Sequence, residues 1–281
     1  MTSAVWIALA LAVSALPLSQ MVWIPLTHYR FRRYYRRLGA TAPRLGFTGS
    51  LGYYWRALIA NLTMAWWMVA AFGRDGLRQP TGDVTGPAVL CIHGYLRNGT
   101  CMWGYRRALA RRGRSTAAVS MGRPLRTIED YVPPVANALR NLTAAHPGEQ
   151  IDIIAHSMGG VVLRSVLATE PELAAAVHRI VTLGSPHRGT AAVAGLPGVR
   201  ETRQLNPQSA FVHQLPDFRT SVPQAEVVTV AAELDFVVYP RDTSHLEGSE
   251  TLDLPTSHPG LLTERPVIER VVDELTTRAR G

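Results

Sequence analysis

Ile153-Ile154-Ala155-His156-Ser157-Met158-Gly159-Gly160 is the stretch on which the reading of this chain turns. It follows the pattern small-x-Ser-x-Gly, with Ala155 and Gly159 two positions either side of Ser157. Before it, Gln150 to Ala155 reads as a buried strand. After it, Val161 to Leu167 reads as a helix starting close to the serine. A sharp strand-to-helix turn exposes a serine hydroxyl and leaves the next backbone N–H, that of Met158, near whatever carbonyl the hydroxyl attacks. That arrangement predicts ester cleavage through an acyl-enzyme; a purely structural turn is the alternative.

Working outward, short apolar runs alternate with helical ones. Ala88 to Ile92 is a strand, Cys101 to Arg111 a helix, Thr116 to Ser120 a strand, and Val132 to His146 a helix ended by Pro147-Gly148. Later strands are expected at His178 to Leu183 and Glu226 to Ala232. Alternation of this kind predicts an α/β fold with a mostly parallel sheet covered by helices on both faces. Active-site loops of such sheets gather beyond the carboxyl ends of the strands, where Gly94, Ser157, Gly184 and Asp235 fall.

A serine hydroxyl needs a base, and the base needs an orienting carboxylate. Asp235 lies just past the strand ending at Ala232, with Glu233 and Asp242 as alternatives. His258, in a loop entering the last helix, supplies the base, with His245 as its rival. Tyr95, after the turn at Gly94, and Met158 are the expected backbone oxyanion donors. His93 is expected to hold the loop around Tyr95, and His156 to pack locally. No compact His/Asp/Glu set calls for a metal, and the chemistry requires no cofactor.

The first third of the chain has a different character. Residues 4–26 are almost continuously apolar, and a second apolar segment runs over residues 51–72 with Arg56 near its start. Between them lies Tyr29-Arg30-Phe31-Arg32-Arg33-Tyr34-Tyr35-Arg36-Arg37. Its place between two apolar runs fits the positive-inside rule better than nucleic-acid binding. The reading is a membrane anchor over residues 1–72, with two spans and a basic connector at 27–50, then a linker at 73–86 and a catalytic domain at 87–281. Two crossings would put that domain on the extracytoplasmic side of a bacterial cytoplasmic membrane; one anchor and a helix covering the domain is the alternative. The net charge of +8 owes much to the connector and says little about substrate. Cys91 and Cys101 allow one disulfide without requiring it. Residues 191–222, rich in proline and apolar side chains, are expected to form either a small lid or a surface connection.

These motifs together resemble the alpha/beta-hydrolase family, and within it the bacterial triacylglycerol lipases and esterases with an A-H-S-M-G-G elbow. Cys91-Ile92-His93-Gly94-Tyr95 is similar to their oxyanion strand and loop, and Gly184 to Thr190 to the strand end after the elbow. Asp235 with Val237-Val238 and His258 with Gly260-Leu261-Leu262 are similar to the acid and histidine segments. The resemblance covers about Pro87 to Thr276 and implies a serine hydrolase of lipid or other hydrophobic esters. Acyl transfer to a cell-envelope lipid and a non-catalytic binding scaffold are the alternatives. Phe236 departs from the pattern, which has a small polar residue or glycine there. Asp253 invites comparison with calcium-binding members, but one carboxylate does not make a calcium site.

Overall fold

The computed structural model describes residues 24–39, 47–70, 84–193 and 200–276. Six strands, β1 (Ala88–Ile92), β2 (Thr116–Val119), β3 (Ile151–His156), β4 (Val177–Leu183), β5 (Glu226–Leu234) and β6 (Glu250–Ser257), form one sheet in the order β2-β1-β3-β4-β5-β6. Every pairing is parallel. β1 to β5 match the expected strands within a few residues. β6 escaped the sequence reading because its exposed residues alternate with half-buried ones and it carries Pro255, tolerated only where a strand lies at a sheet edge.

Strand side chains alternate between faces, and two apolar layers result. Leu90, Ile92, Ile153 and Ala155 pack with α4 (Val132–Ala145) and α5 (Met158–Thr169) on one face. Val89, Cys91, Ile154 and Val181 pack with α3 (Trp103–Arg111) and with the C-terminal helix α6 (Arg265–Thr276) on the other. Cys91 and Cys101 are both buried within that second layer and form no disulfide.

Two further helices precede the sheet: one over residues 24–37, α1, and α2 (Phe47–Ala70). Here the expected organisation changes. The first apolar run lies almost wholly among residues 1–23, outside the described residues. The second span, expected over residues 51–72, falls on α2, and among the described residues no helix is long and apolar enough to cross a membrane. One face of α2 is committed to the domain, with Tyr53, Ala57, Ala60 and Met64 buried at helical spacing. Arg56, which interrupts the apolar run, donates to Glu264 at 2.6 Å. A third core joins α1 and α2 to Phe236 and Tyr239 of the body.

The described residues of the 191–222 stretch, 191–193 and 200–222, pack into the body. Leu205, Val212, Phe218 and Val222 merge into the α4/α5 core. Buried Arg164 of α5 clamps the segment, donating to the carbonyl of Pro216 at 3.1 Å and to Asp217 at 2.8 Å. A charged group this buried keeps its partners in place, so the described part of the stretch around Pro216 and Asp217 is pinned to the body.

Candidate active site

Strand order reverses between β1 and β3, and the crevice beyond their carboxyl ends holds the site. Ile92 is in register with Ala155, so Gly94 and Ser157 meet just past the sheet. A Cβ on Gly94 would stand 2.7 Å from that of Ser157, and one on Gly159 would stand 2.5 Å from the His93 carbonyl. Only glycine permits this approach.

Ser157 itself takes φ 56° and ψ −130°, an uncommon conformation for a residue with a side chain. It is held there by its own N–H, which donates to the carbonyl of Leu183 at 2.8 Å, and by α5, which begins at Met158. The first N–H groups of a helix have no partner within it, which leaves the Met158 amide at the helix start beside the serine. Tyr95 lines the same cavity as Ser157.

His258 Nε2 lies 3.1 Å from Ser157 Oγ, and His258 Nδ1 lies 2.7 Å from Asp235 Oδ2. A carboxylate only accepts, so Nδ1 carries the proton and Nε2 is left to accept from the serine. The other oxygen, Asp235 Oδ1, accepts from the backbone N–H groups of Val237 at 2.8 Å and Val238 at 2.7 Å, fixing the carboxylate's orientation. All three side chains are buried. Gly184, with φ 54°, passes beneath them. A Cβ there would lie 3.1 Å from His258 Nδ1 and 3.3 Å from Asp235 Oδ2.

The rivals lie elsewhere. His245 is occupied by Thr229 Oγ1 and by Asp253, each at 3.0 Å. Asp253 also pairs with Arg241, and among the described residues no cluster of histidines, cysteines or carboxylates is able to hold a metal ion. Glu233 and Asp242 line a separate cavity behind Asp235. His93 Nε2 accepts from the Met121 N–H at 3.0 Å, so its Nδ1 donates to the Gly94 carbonyl at 2.7 Å, tying the loop after β1 to the end of β2.

His156 differs from its expected local packing. It lines the cavity with Ser157, and its ring lies 4.7 Å from that of His258. Burial first, and then the neighbouring His258, hold its pKa well below 6.5, so it stays neutral.

The cavity over Ser157 measures about 370 Å³ and is mainly apolar. Its roof is the larger surprise. Ile24 and Thr27 of α1 and Tyr53, Ala57, Asn61 and Met64 of α2 form it, whereas no described residue of 191–222 does. The stripe Tyr53, Ala57, Ala60, Met64 was the available signal. Inside a segment apolar all round apart from Arg56, Asn61 and Thr63, that stripe is indistinguishable from the opposite face.

The parallel sheet, the strained serine turn and the post-strand positions of Asp235 and His258 define an alpha/beta-hydrolase fold. More particularly, the family described as "PGAP1-like alpha/beta domain" matches residues 115–247, a stretch that includes Ser157 and Asp235 and stops short of His258. Among solved structures, Bacillus licheniformis lipase BlEst2 in its propeptide form is similar, with TM-score 0.63 and 16% identity over 71% of this chain and 53% of that one. This chain thus spans about half the length of that form. Aspergillus fumigatus lipase B gives TM-score 0.61 and 16% identity over 72% of this chain and 56% of that one. A metagenome-derived lipolytic enzyme of the LipS and LipT pair gives 0.56 and 17%, over 72% of this chain and 98% of that one. At such identities the likeness is one of fold. Among curated protein sequences none matches.

Proposed function

We propose that this protein is a carboxylic ester hydrolase of the lipase/esterase kind, acting on a hydrophobic ester through Ser157, His258 and Asp235. The observation that carries the reading is the continuous relay from Ser157 Oγ through His258 to Asp235, with separations of 3.1 and 2.7 Å. His258 takes the Ser157 proton as Oγ attacks the ester carbonyl. The oxyanion is held by the N–H groups of Tyr95 and Met158. Protonated His258 then passes its proton to the departing alcohol, leaving an acyl-Ser157, and water repeats the sequence to release the acid. The apolar cavity and the lipases that share the fold support a lipid or similar ester as substrate.

The membrane remains the proposed working place, with contact at its surface. Leu51, Trp55, Ile59, Leu62 and Trp66 form an exposed stripe on α2, at 39–67% exposure. Arg32, Arg33, Arg36 and Arg37 are exposed on α1 nearby in the chain. Apolar and aromatic side chains beside arginines suit the headgroup region of an anionic bilayer. With α1 and α2 docked on the body, the basic residues and the pocket would lie on the same side of a bilayer. Protease accessibility in spheroplasts therefore decides between the extracytoplasmic domain expected from the sequence and one facing the cytoplasm.

The central test is hydrolysis across an acyl-chain series in detergent, with labelling by a serine-directed fluorophosphonate. Wild type is expected to be labelled and to favour medium or long chains, and Ser157→Ala to lose labelling and at least about 10³-fold in kcat. Equal turnover by the mutant would defeat the mechanism.

A further inference from the structure

Arg97 stands two residues beyond Tyr95 and lines the cavity that holds Ser157 and His258. Its Nη2 donates to Asn61 Oδ1 of α2 at 2.8 Å. Asn61 is itself set by donating its amide N–H to the Ala57 carbonyl at 2.9 Å, so its oxygen is presented to the guanidinium. That partner is neutral. Among the described residues no carboxylate pairs with Arg97, and no acidic side chain lines the cavity wall. The loop that turns the arginine inward is unusual in its backbone: Leu96 takes φ 56° while its side chain is exposed. A positive φ of this kind is uncommon for a residue with a side chain.

Arg97 is half-buried, and a guanidinium at the wall of a mainly apolar cavity with one neutral partner is better satisfied by an anion. Arg97 shares the cavity wall with His156 and Ser157, and its charge adds a little to the burial and the His258 field that keep His156 neutral. Guanidinium N–H groups not used by Asn61 match the oxygens of a phosphate or carboxylate, which they bind in pairs.

We infer that Arg97 is an anion-recognition residue of the pocket, and that the preferred substrate is an acyl ester bearing a phosphate or carboxylate within a few bonds of the scissile carbonyl. The inference rests on the ester-hydrolase reading and narrows it from any hydrophobic ester to an anionic one. Asn61 positions the guanidinium, so α2 contributes to selection as well as to the roof.

The test compares esters of one acyl chain with glycerol, with glycerol 3-phosphate and with glyceric acid, presented in the same neutral detergent micelles. Wild type is expected to show kcat/KM at least tenfold higher for one or both anionic esters than for the glycerol ester; which of the two is favoured identifies the anion. In Arg97→Gln that ratio is expected to fall close to one, while Arg97→Lys keeps part of it. A merely structural arginine would lower all three rates together and leave the ratio unchanged, overturning the inference. If Arg97→Gln fails to fold, the wild-type ratio and Arg97→Lys still decide. Wild type that is labelled at Ser157 by fluorophosphonate but does not favour an anionic ester defeats the role of Arg97 alone. Wild type that is neither labelled nor active defeats the hydrolase reading beneath it.

Discussion

Phe236 lies flat against His28, with ring centroids 4.5 Å apart and planes within 8° of parallel. Phe31 and Tyr53 close on the same ring at 4.8 and 4.5 Å. One side chain next to the candidate acid thus receives both N-terminal helices. This accounts for the bulky residue where the resembled lipases have a small one: Phe236 fastens the pocket roof to the Asp235 loop.

Phe236→Ala is therefore expected to lose about 3–5 kcal/mol, the usual cost of deleting a buried phenyl ring, and to loosen α1 and α2 from the body. Urea unfolding measures the first effect, and limited proteolysis within α1 and α2 the second. Cleavage at the wild-type rate would show that the helices are held by other contacts.

Asp235→Asn tests the relay without changing its shape. The loop N–H groups of Val237 and Val238 keep the amide oxygen on their side, so the NH₂ faces His258 Nδ1. The imidazole then carries its proton on Nε2 and has no lone pair for the serine. A fall in kcat of about 10⁴-fold is expected, with the folded state retained by circular dichroism. Activity within tenfold of wild type would remove Asp235 from the mechanism.

Gly184→Ala separates geometry from chemistry, because it adds one methyl group and no reactive atom. The backbone there has φ 54°, and the new carbon would press on Leu261 Cδ1 at 2.9 Å as well as on the His258 and Asp235 side chains. We expect about 10²-fold lower kcat from displacement of the relay, and a stability loss of about 1 kcal/mol from the backbone conformation. A variant with full fluorophosphonate reactivity would show that the strand end yields without disturbing the site.

Stability should fall as the solution is acidified below about pH 6.5. His156 and His187 are buried, and that burial, helped by the neighbouring His258 and Arg164 respectively, holds both pKa values well below 6.5. Once unfolded they take up protons near 6.5, so the unfolded state binds more protons than the folded one between the depressed and ordinary values. Folding is therefore favoured by rising pH in that window, by up to about 1.4 kcal/mol per unit for each histidine. Urea titrations from pH 5 to 7 are expected to show this slope, reduced by about one proton in His187→Asn. An unchanged slope in that variant would mean His187 is charged when folded.

Much of the candidate site is legible along the chain because its determinants are local. The glycines at 94, 159, 160 and 184 mark places where backbone must come close, and apolar runs of five to seven residues read as buried strands in any context. Asp235 and His258 were found from their positions after a strand and before the last helix. The edge strand β6 was not found, since a half-exposed strand with proline carries no such run.

By itself, then, the sequence determined the parallel sheet, the strained turn at Ser157 and the identity of the side chains around it, since spacing and apolar periodicity act over a few residues. Only the tertiary structure decided what covers the pocket. Apart from Arg56, Asn61 and Thr63, residues 51–70 are apolar around the helix, and the chain's own pattern does not tell a face that meets lipid from one that meets protein. That choice came from complementary partners more than a hundred residues away, Phe236 and Glu264, which seat α2 on the body and bring Asn61 to Arg97.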